Sequence, residues 1–132
     1  IWSSGSVSIS GSTISGNSAT NYGGGIFNNS GTLSISSSTI SDNTATQGGG
    51  IDNRASVSVS SSTLSGNSAT GNGGGLWSSG SVSLDGSTLT NNSAATGSGI
   101  YVSNSVLTLT GSTGNLTING GIAASGTSTL NL

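Results

Sequence analysis

The chain has 132 residues and a net charge of −2, enough for one domain. Ser (33), Gly (24), Thr (17) and Asn (14) fill two thirds of it, while Asp42, Asp52, Asp85 and Arg54 are its only charged side chains. Without Cys or His it lacks the usual ligands of structural zinc, iron–sulfur clusters and haem, and the nucleophile–imidazole dyads as well. One Arg and no Lys cannot neutralise a run of phosphates, and no window approaches about 18 consecutive apolar residues, so neither nucleic-acid binding nor a helical membrane span is expected.

Such a composition is compatible with a disordered linker. The spacing of the apolar 30% argues otherwise. In chain order, Ile1 is the first of five aliphatic positions, followed by Ile26, Ile51, Leu76 and Ile100, and the last four each follow a Gly-rich cluster: Gly23-Gly24-Gly25, Gly48-Gly49-Gly50, Gly73-Gly74-Gly75 and Gly97-Ser98-Gly99. The steps are 25, 25, 25 and 24 residues. Within each period comes a pair at i and i+2 (Val7/Ile9, Leu33/Ile35, Val57/Val59, Val82/Leu84), then a single aliphatic (Ile14, Ile40, Leu64, Leu89). An Asn (Asn17, Asn43, Asn67, Asn92) and an Ala (Ala19, Ala45, Ala69, Ala94) close the period. Length changes fall between these landmarks, which is how turns vary in a folded repeat.

Local apolar spacing of two inside a 25-residue period predicts a coil of about three short strands, with successive coils stacked in parallel at roughly 4.8 Å. Gly, Ser and Thr disfavour the helical alternative. The expected fold is therefore all-β: a single-stranded parallel β-helix, or β-solenoid, of about five coils. Aliphatic residues point inward in ladders, and the columns Ser8, Ser34, Ser58, Ser83 and Thr13, Thr39, Thr63, Thr88 point outward. One coil buries too little to fold alone, so stability must come from stacking. The Asn17, Asn43, Asn67, Asn92 column is expected to form an internal amide ladder in preference to four solvent-facing turns.

The Gly-Gly-Gly-Ile element, with Ile14-Ser15-Gly16-Asn17, Ile40-Ser41-Asp42-Asn43 or Leu89-Thr90-Asn91-Asn92, is similar to the repeats of chlamydial polymorphic outer-membrane proteins. Those repeats carry Gly-Gly-Ala-Ile and Phe-x-x-Asn motifs. Here Gly stands for the Ala, and Ile14, Ile40, Leu64 and Leu89 stand for the Phe. The resemblance spans about residues 1–110 and extends to other bacterial surface proteins of the pectate-lyase-like β-helix superfamily. It implies a right-handed coil, as is general for parallel crossovers. It also implies an extracellular or cell-surface location and a role in adhesion or surface architecture.

That superfamily includes polysaccharide lyases and hydrolases, which work with clustered carboxylates. Here the three Asp residues fall in different columns: Asp42 in a turn with Gly16, Gly66 and Asn91, Asp85 outward with Ser10, Ser36 and Ser60, and Asp52 with Trp2, Phe27, Trp77 and Tyr101. Only Asp52 and Arg54 lie close together, and they read as an exposed ion pair of little energetic weight. No catalytic, metal or cofactor residue is assigned, and the chain is not expected to be an enzyme. The column Trp2, Phe27, Asp52, Trp77, Tyr101 follows an inward residue and should face outward, where its rings either stack on sugars or a neighbouring protomer or simply shield the sheet. The outward Ser and Thr suit polysaccharide, O-linked glycan or ordered water. Asn28, Asn91 and Asn115 stand in glycosylation sequons.

The chain starts inside a repeat at Ile1, and the landmarks fade after Leu109, which leaves 111–132 as a divergent last coil or the edge of another region. No charged cap covers either end, and low net charge opposes association weakly. The expected partner is therefore the chain itself, end to end in a fibre or within a longer surface protein. A carbohydrate-binding or carbohydrate-processing module, with any catalytic residues outside this segment, is the second reading.

Overall fold

A computed structural model describes residues 1–132. The first coil runs through β1 (Trp2–Ser3), β2 (Val7–Ser10) and β3 (Thr13–Ser15). The second adds β4 (Ile26–Asn28), β5 (Thr32–Ser36), β6 (Thr39–Ser41) and the short β7 (Thr44–Ala45), and the third β8 (Ile51–Asn53), β9 (Ser56–Ser60), β10 (Thr63–Ser65) and β11 (Ser68–Ala69). The fourth comprises β12 (Leu76–Ser78), β13 (Ser81–Asp85) and β14 (Thr88–Thr90), and the fifth β15 (Ile100–Ser103), β16 (Val106–Thr110) and β17 (Thr117–Ile118). A sixth begins with β18 (Ile122–Ser125) and β19 (Thr129–Asn131).

Every strand pairs in parallel with its counterpart one coil away, giving three principal sheets: β1-β4-β8-β12-β15-β18, β2-β5-β9-β13-β16-β19 and β3-β6-β10-β14-β17. This is the parallel β-solenoid that the 25-residue period predicts. Register follows the hydrophobic pattern: Ile26, Ile51, Leu76 and Ile100 stack in one column, and Leu33, Val57, Val82 and Leu107 in another. A shift of one residue would turn each of these side chains outward, so the core itself locks the coils. Sixteen buried aliphatic residues form one continuous bore.

Three polar columns at the corners hold the coils to one another, and the sequence pattern singled out one of them. Asn17, Asn43, Asn67 and Asn92 form a chain in which each Nδ2–H donates to Oδ1 of the next Asn, at 3.0, 3.0 and 3.1 Å. Each Oδ1 also accepts the backbone N–H of the preceding Asn. Asn43, Asn67 and Asn92 are buried, while Asn17 at the end of the column is exposed. A second column joins Asn28 Nδ2 to Asn53 Oδ1 at 2.8 Å and Asn53 Nδ2 to Ser78 Oγ at 2.9 Å. The third uses serine hydroxyls: Ser38, Ser62 and Ser87 Oγ accept the backbone N–H of Ser12, Ser38 and Ser62.

Asn28 Oδ1 alone lacks a partner among buried polar side-chain atoms. Its neighbour one coil toward the N-terminus is Ser3, whose shorter hydroxyl donates instead to the Gly5 carbonyl. Because Asn28 is fully covered, its sequon is closed in the folded coil, whereas Asn91 and Asn115 are exposed. The turn after the third strand adopts positive φ in all four repeats, at Gly16 (66°), Asp42 (56°), Gly66 (65°) and Asn91 (55°). Gly, Asp and Asn are the residues that tolerate this region best, which accounts for Asp42 without any chemical role.

Candidate functional site

The outward column of the first sheet carries the largest side chains of the surface. Parallel register places Trp2, Phe27, Asp52, Trp77 and Tyr101 on consecutive coils, one residue after the inward aliphatic. Trp2 is 64% exposed, and Phe27, Trp77 and Tyr101 are half-buried. The column position follows from strand alternation, because the residue beside an inward one must point out.

Asp52 departs from the expectation of an exposed ion pair. It leaves the strand on the outer face, yet its side chain is completely covered. Gln47, in the turn before the Gly cluster, donates Nε2–H to Oδ2 at 3.0 Å, and Arg54 donates Nε–H to Oδ1 at 3.3 Å. Arg54 in turn lies over Tyr22 and Phe27, with its guanidinium carbon 4.1 and 4.8 Å from the two ring centroids. The rings themselves are 5.6 Å apart and tilted by 37°. A small residue at position 52 leaves a gap in the aromatic file, and Arg54 folds back to fill the space beside it.

The column of Trp2, Phe27, Asp52, Trp77 and Tyr101 that the period picks out does not include Tyr22, Gln47 and Arg54, which complete the cluster. Tyr22 and Gln47 bracket the turn before successive Gly clusters and are stacked by a bridge between coils. Their common position before Gly23 and Gly48 was the available signal. Spacing marks Arg54 only as a neighbour of Asp52; its place over rings from the two preceding coils depends on side-chain reach that spacing does not encode.

Burial pushes the Asp52 carboxyl above its ordinary value of 3.8, against the opposing hydrogen bond from Gln47 and the charge of Arg54. Protonation therefore favours the folded state, and stability should rise as the pH falls from neutrality through the shifted value, the gain being complete near 3.8. Asp85 behaves in the opposite sense. Hydrogen bonds from Ser112, Thr110 and the Thr113 and Ser112 backbone lower it to about 2, so its contribution is present above 3.8 and disappears toward pH 2. Melting curves of the wild type and Asp52→Asn between pH 7 and 4 should converge or diverge by this term alone: the wild type gains stability on acidification and the variant does not. Parallel curves would show that Asp52 is effectively solvated.

The remaining carboxylates do not join this cluster. Asp42 sits in its turn, and Asp85 clamps the 110–113 loop from the end of β13. No group of three His, Cys, Asp or Glu side chains is poised to hold a metal ion. Near the C-terminal end, Val102, Leu107, Ile122, Ala124 and Leu130 line an apolar crevice of about 280 Å³, open to the surface and without a titratable group. The outward Thr13, Thr39, Thr63 and Thr88 are in strict register and continue to Thr117.

Two segments, residues 11–29 and 61–79, match the repeat of the Chlamydia polymorphic membrane protein family. Each match begins at the corner before the third strand, passes through a ladder Asn and a Gly cluster, and ends just beyond the aromatic of the next coil. The unit of similarity is thus one corner of the solenoid together with the strand that carries the outward ring. No curated protein and no solved structure matches the chain.

Proposed function

We propose that the chain is a non-catalytic structural or adhesive solenoid of the cell surface, whose open coil faces associate end to end. The similarity to polymorphic membrane protein repeats supports the surface location. No helix is long and apolar enough to cross a membrane. The observation that carries the association is the apolar surface on both terminal faces. Ile1 and Trp2 are 54% and 64% exposed at one, while Ile122, Leu130 and Leu132 are 42%, 52% and 92% exposed at the other, beside the apolar crevice.

Those faces also present unpaired strand edges, which are templates for further pairing. The two faces differ and lie at opposite ends of the stacking axis, so contact between them is heterologous and, continued along that axis, propagates as an open filament. Neighbouring coils of a longer surface polypeptide would cover the same surfaces in the same way. Electron micrographs of the purified 132-residue chain at high concentration should show filaments, and Leu130→Asp with Ile122→Asp should abolish them. A wild-type chain that stays strictly monomeric under those conditions overturns the fibre.

A further inference from the structure

The only cation among the side chains is held with its outer edge free. Arg54 Nε–H is engaged by Asp52, and its guanidinium carbon lies over the Tyr22 and Phe27 rings, but neither Nη nitrogen has an acceptor in the protein. The side chain remains 33% exposed. Asp52 is itself fixed by Gln47, so two polar side chains and two rings determine the direction of the free edge. An immobilised guanidinium of this kind loses little rotamer freedom when it accepts a planar anion through paired N–H donors.

The surroundings define what carries the anion. Phe27 and Trp77 flank Asp52 in the same column, one coil to each side, so they stand about 9.6 Å apart along the axis. Trp2 and Tyr101 extend the file by a further coil at each end. Half-exposed rings in single file can stack on successive sugar rings, and the rest of the surface is dominated by neutral hydroxyls. One fork cannot neutralise the charge density of a nucleic acid or compete for an anionic bilayer, both of which require several cations.

We propose that Arg54, with Tyr22, Phe27 and Trp77, forms a binding site for an anionic polysaccharide, the Nη edge taking a carboxylate or sulfate while the rings stack on the sugars beside it. The site is independent of end-to-end association, because it is built on the lateral face, with Tyr22 from the end of the first coil and Phe27, Arg54 and Trp77 from the second, third and fourth. Filaments that form without polysaccharide binding would overturn this proposal alone, and binding by a monomer would leave it standing.

The test is affinity electrophoresis of the full chain in gels containing alginate, dextran sulfate or neutral dextran. The wild type should be retarded by one or both anionic polymers and far less by dextran, with retardation falling as salt is added. Arg54→Gln should weaken that binding about tenfold or more, as expected for loss of a charge-assisted pair. Because this change strands the covered Asp52 carboxylate, the double variant Asp52→Asn/Arg54→Gln is the decisive one: it removes the cation without leaving a lone charge. Loss of binding with a native circular-dichroism spectrum supports the site. Equal affinity for neutral dextran, no binding to any polymer, or undiminished binding by the double variant overturns it. Alginate and dextran sulfate separate carboxylate from sulfate as the preferred group.

Discussion

Asn67→Ala is expected to destabilise the fold by about 3 kcal/mol or more, although it removes only a small polar side chain. Asn67 Oδ1 accepts both the backbone N–H and the Nδ2–H of Asn43, at 3.1 and 3.0 Å, and its own Nδ2 donates to the Ile40 carbonyl and to Asn92 Oδ1. Alanine would leave two donors of Asn43 facing a dry interior, since Asn43 is fully buried. Each stranded buried donor costs about 1–3 kcal/mol, well above the worth of a typical satisfied bond. Asn17→Ala provides the contrast. Asn17 is exposed, and Asn43 Oδ1 still accepts the Asn17 backbone N–H at 2.9 Å after truncation, so the loss should stay below about 1 kcal/mol. Urea denaturation of the two variants measures the difference. Equal effects would mean that the column acts only through its turns.

Gly49→Ala should be at least as damaging, for a steric reason. A Cβ at Gly49 would lie 2.5 Å from the Ser68 carbonyl oxygen and 2.6 Å from that of Gly74, both backbone atoms of the next coil. Neither can withdraw without separating paired strands, and overpacking against backbone costs more than the roughly 1–3 kcal/mol typical of side-chain crowding. The same column reads Gly24, Gly49, Gly74 and then Ser98, and the exception supports the explanation. Ser98 faces the diverging last turn, where its Oγ accepts the Gly121 N–H at 3.0 Å instead of meeting a stacked carbonyl. Gly5→Ala, where nothing lies within 4 Å of the added carbon, should leave stability within about 0.5 kcal/mol of wild type. A Gly49→Ala chain with an unchanged denaturation midpoint would show that the coils can slide apart locally.

The architecture is readable from sequence because one residue type recurs at one corner. Ile26, Ile51, Leu76 and Ile100 announce the period, and the pairs such as Leu33/Ile35 announce the strand alternation. The Asn17 to Asn92 column is visible for the same reason. The second polar column is harder to see, since it changes from Asn28 and Asn53 to Ser78, a substitution that conserves an acceptor and not a residue. The serine column of Ser12, Ser38, Ser62 and Ser87 is hidden among 33 serines. At the lateral site, the period gives Asp52 its column, in register with Phe27 and Trp77. Its burial escapes because coverage comes from Gln47 and Arg54 reaching across the column, a matter of long side chains and not of period.

The amide column also has a direction. Along the ladder one Nδ2–H donates to the Oδ1 of the next coil, from Asn17 through Asn43 and Asn67 to Asn92, while Asn43, Asn67 and Asn92 return the other to a carbonyl of the coil before. The Asn28 column runs toward the C-terminus in the same way through Asn53 to Ser78. The side-chain dipoles therefore add along the axis, as they do in a helix, although no helix is present. At the N-terminal side the columns end in acceptors, with Asn28 Oδ1 still unmatched beneath Ser3. A rod assembled from such coils has arrowhead polarity: inverting one unit would set acceptor against acceptor, and subunits would join its two tips at different rates.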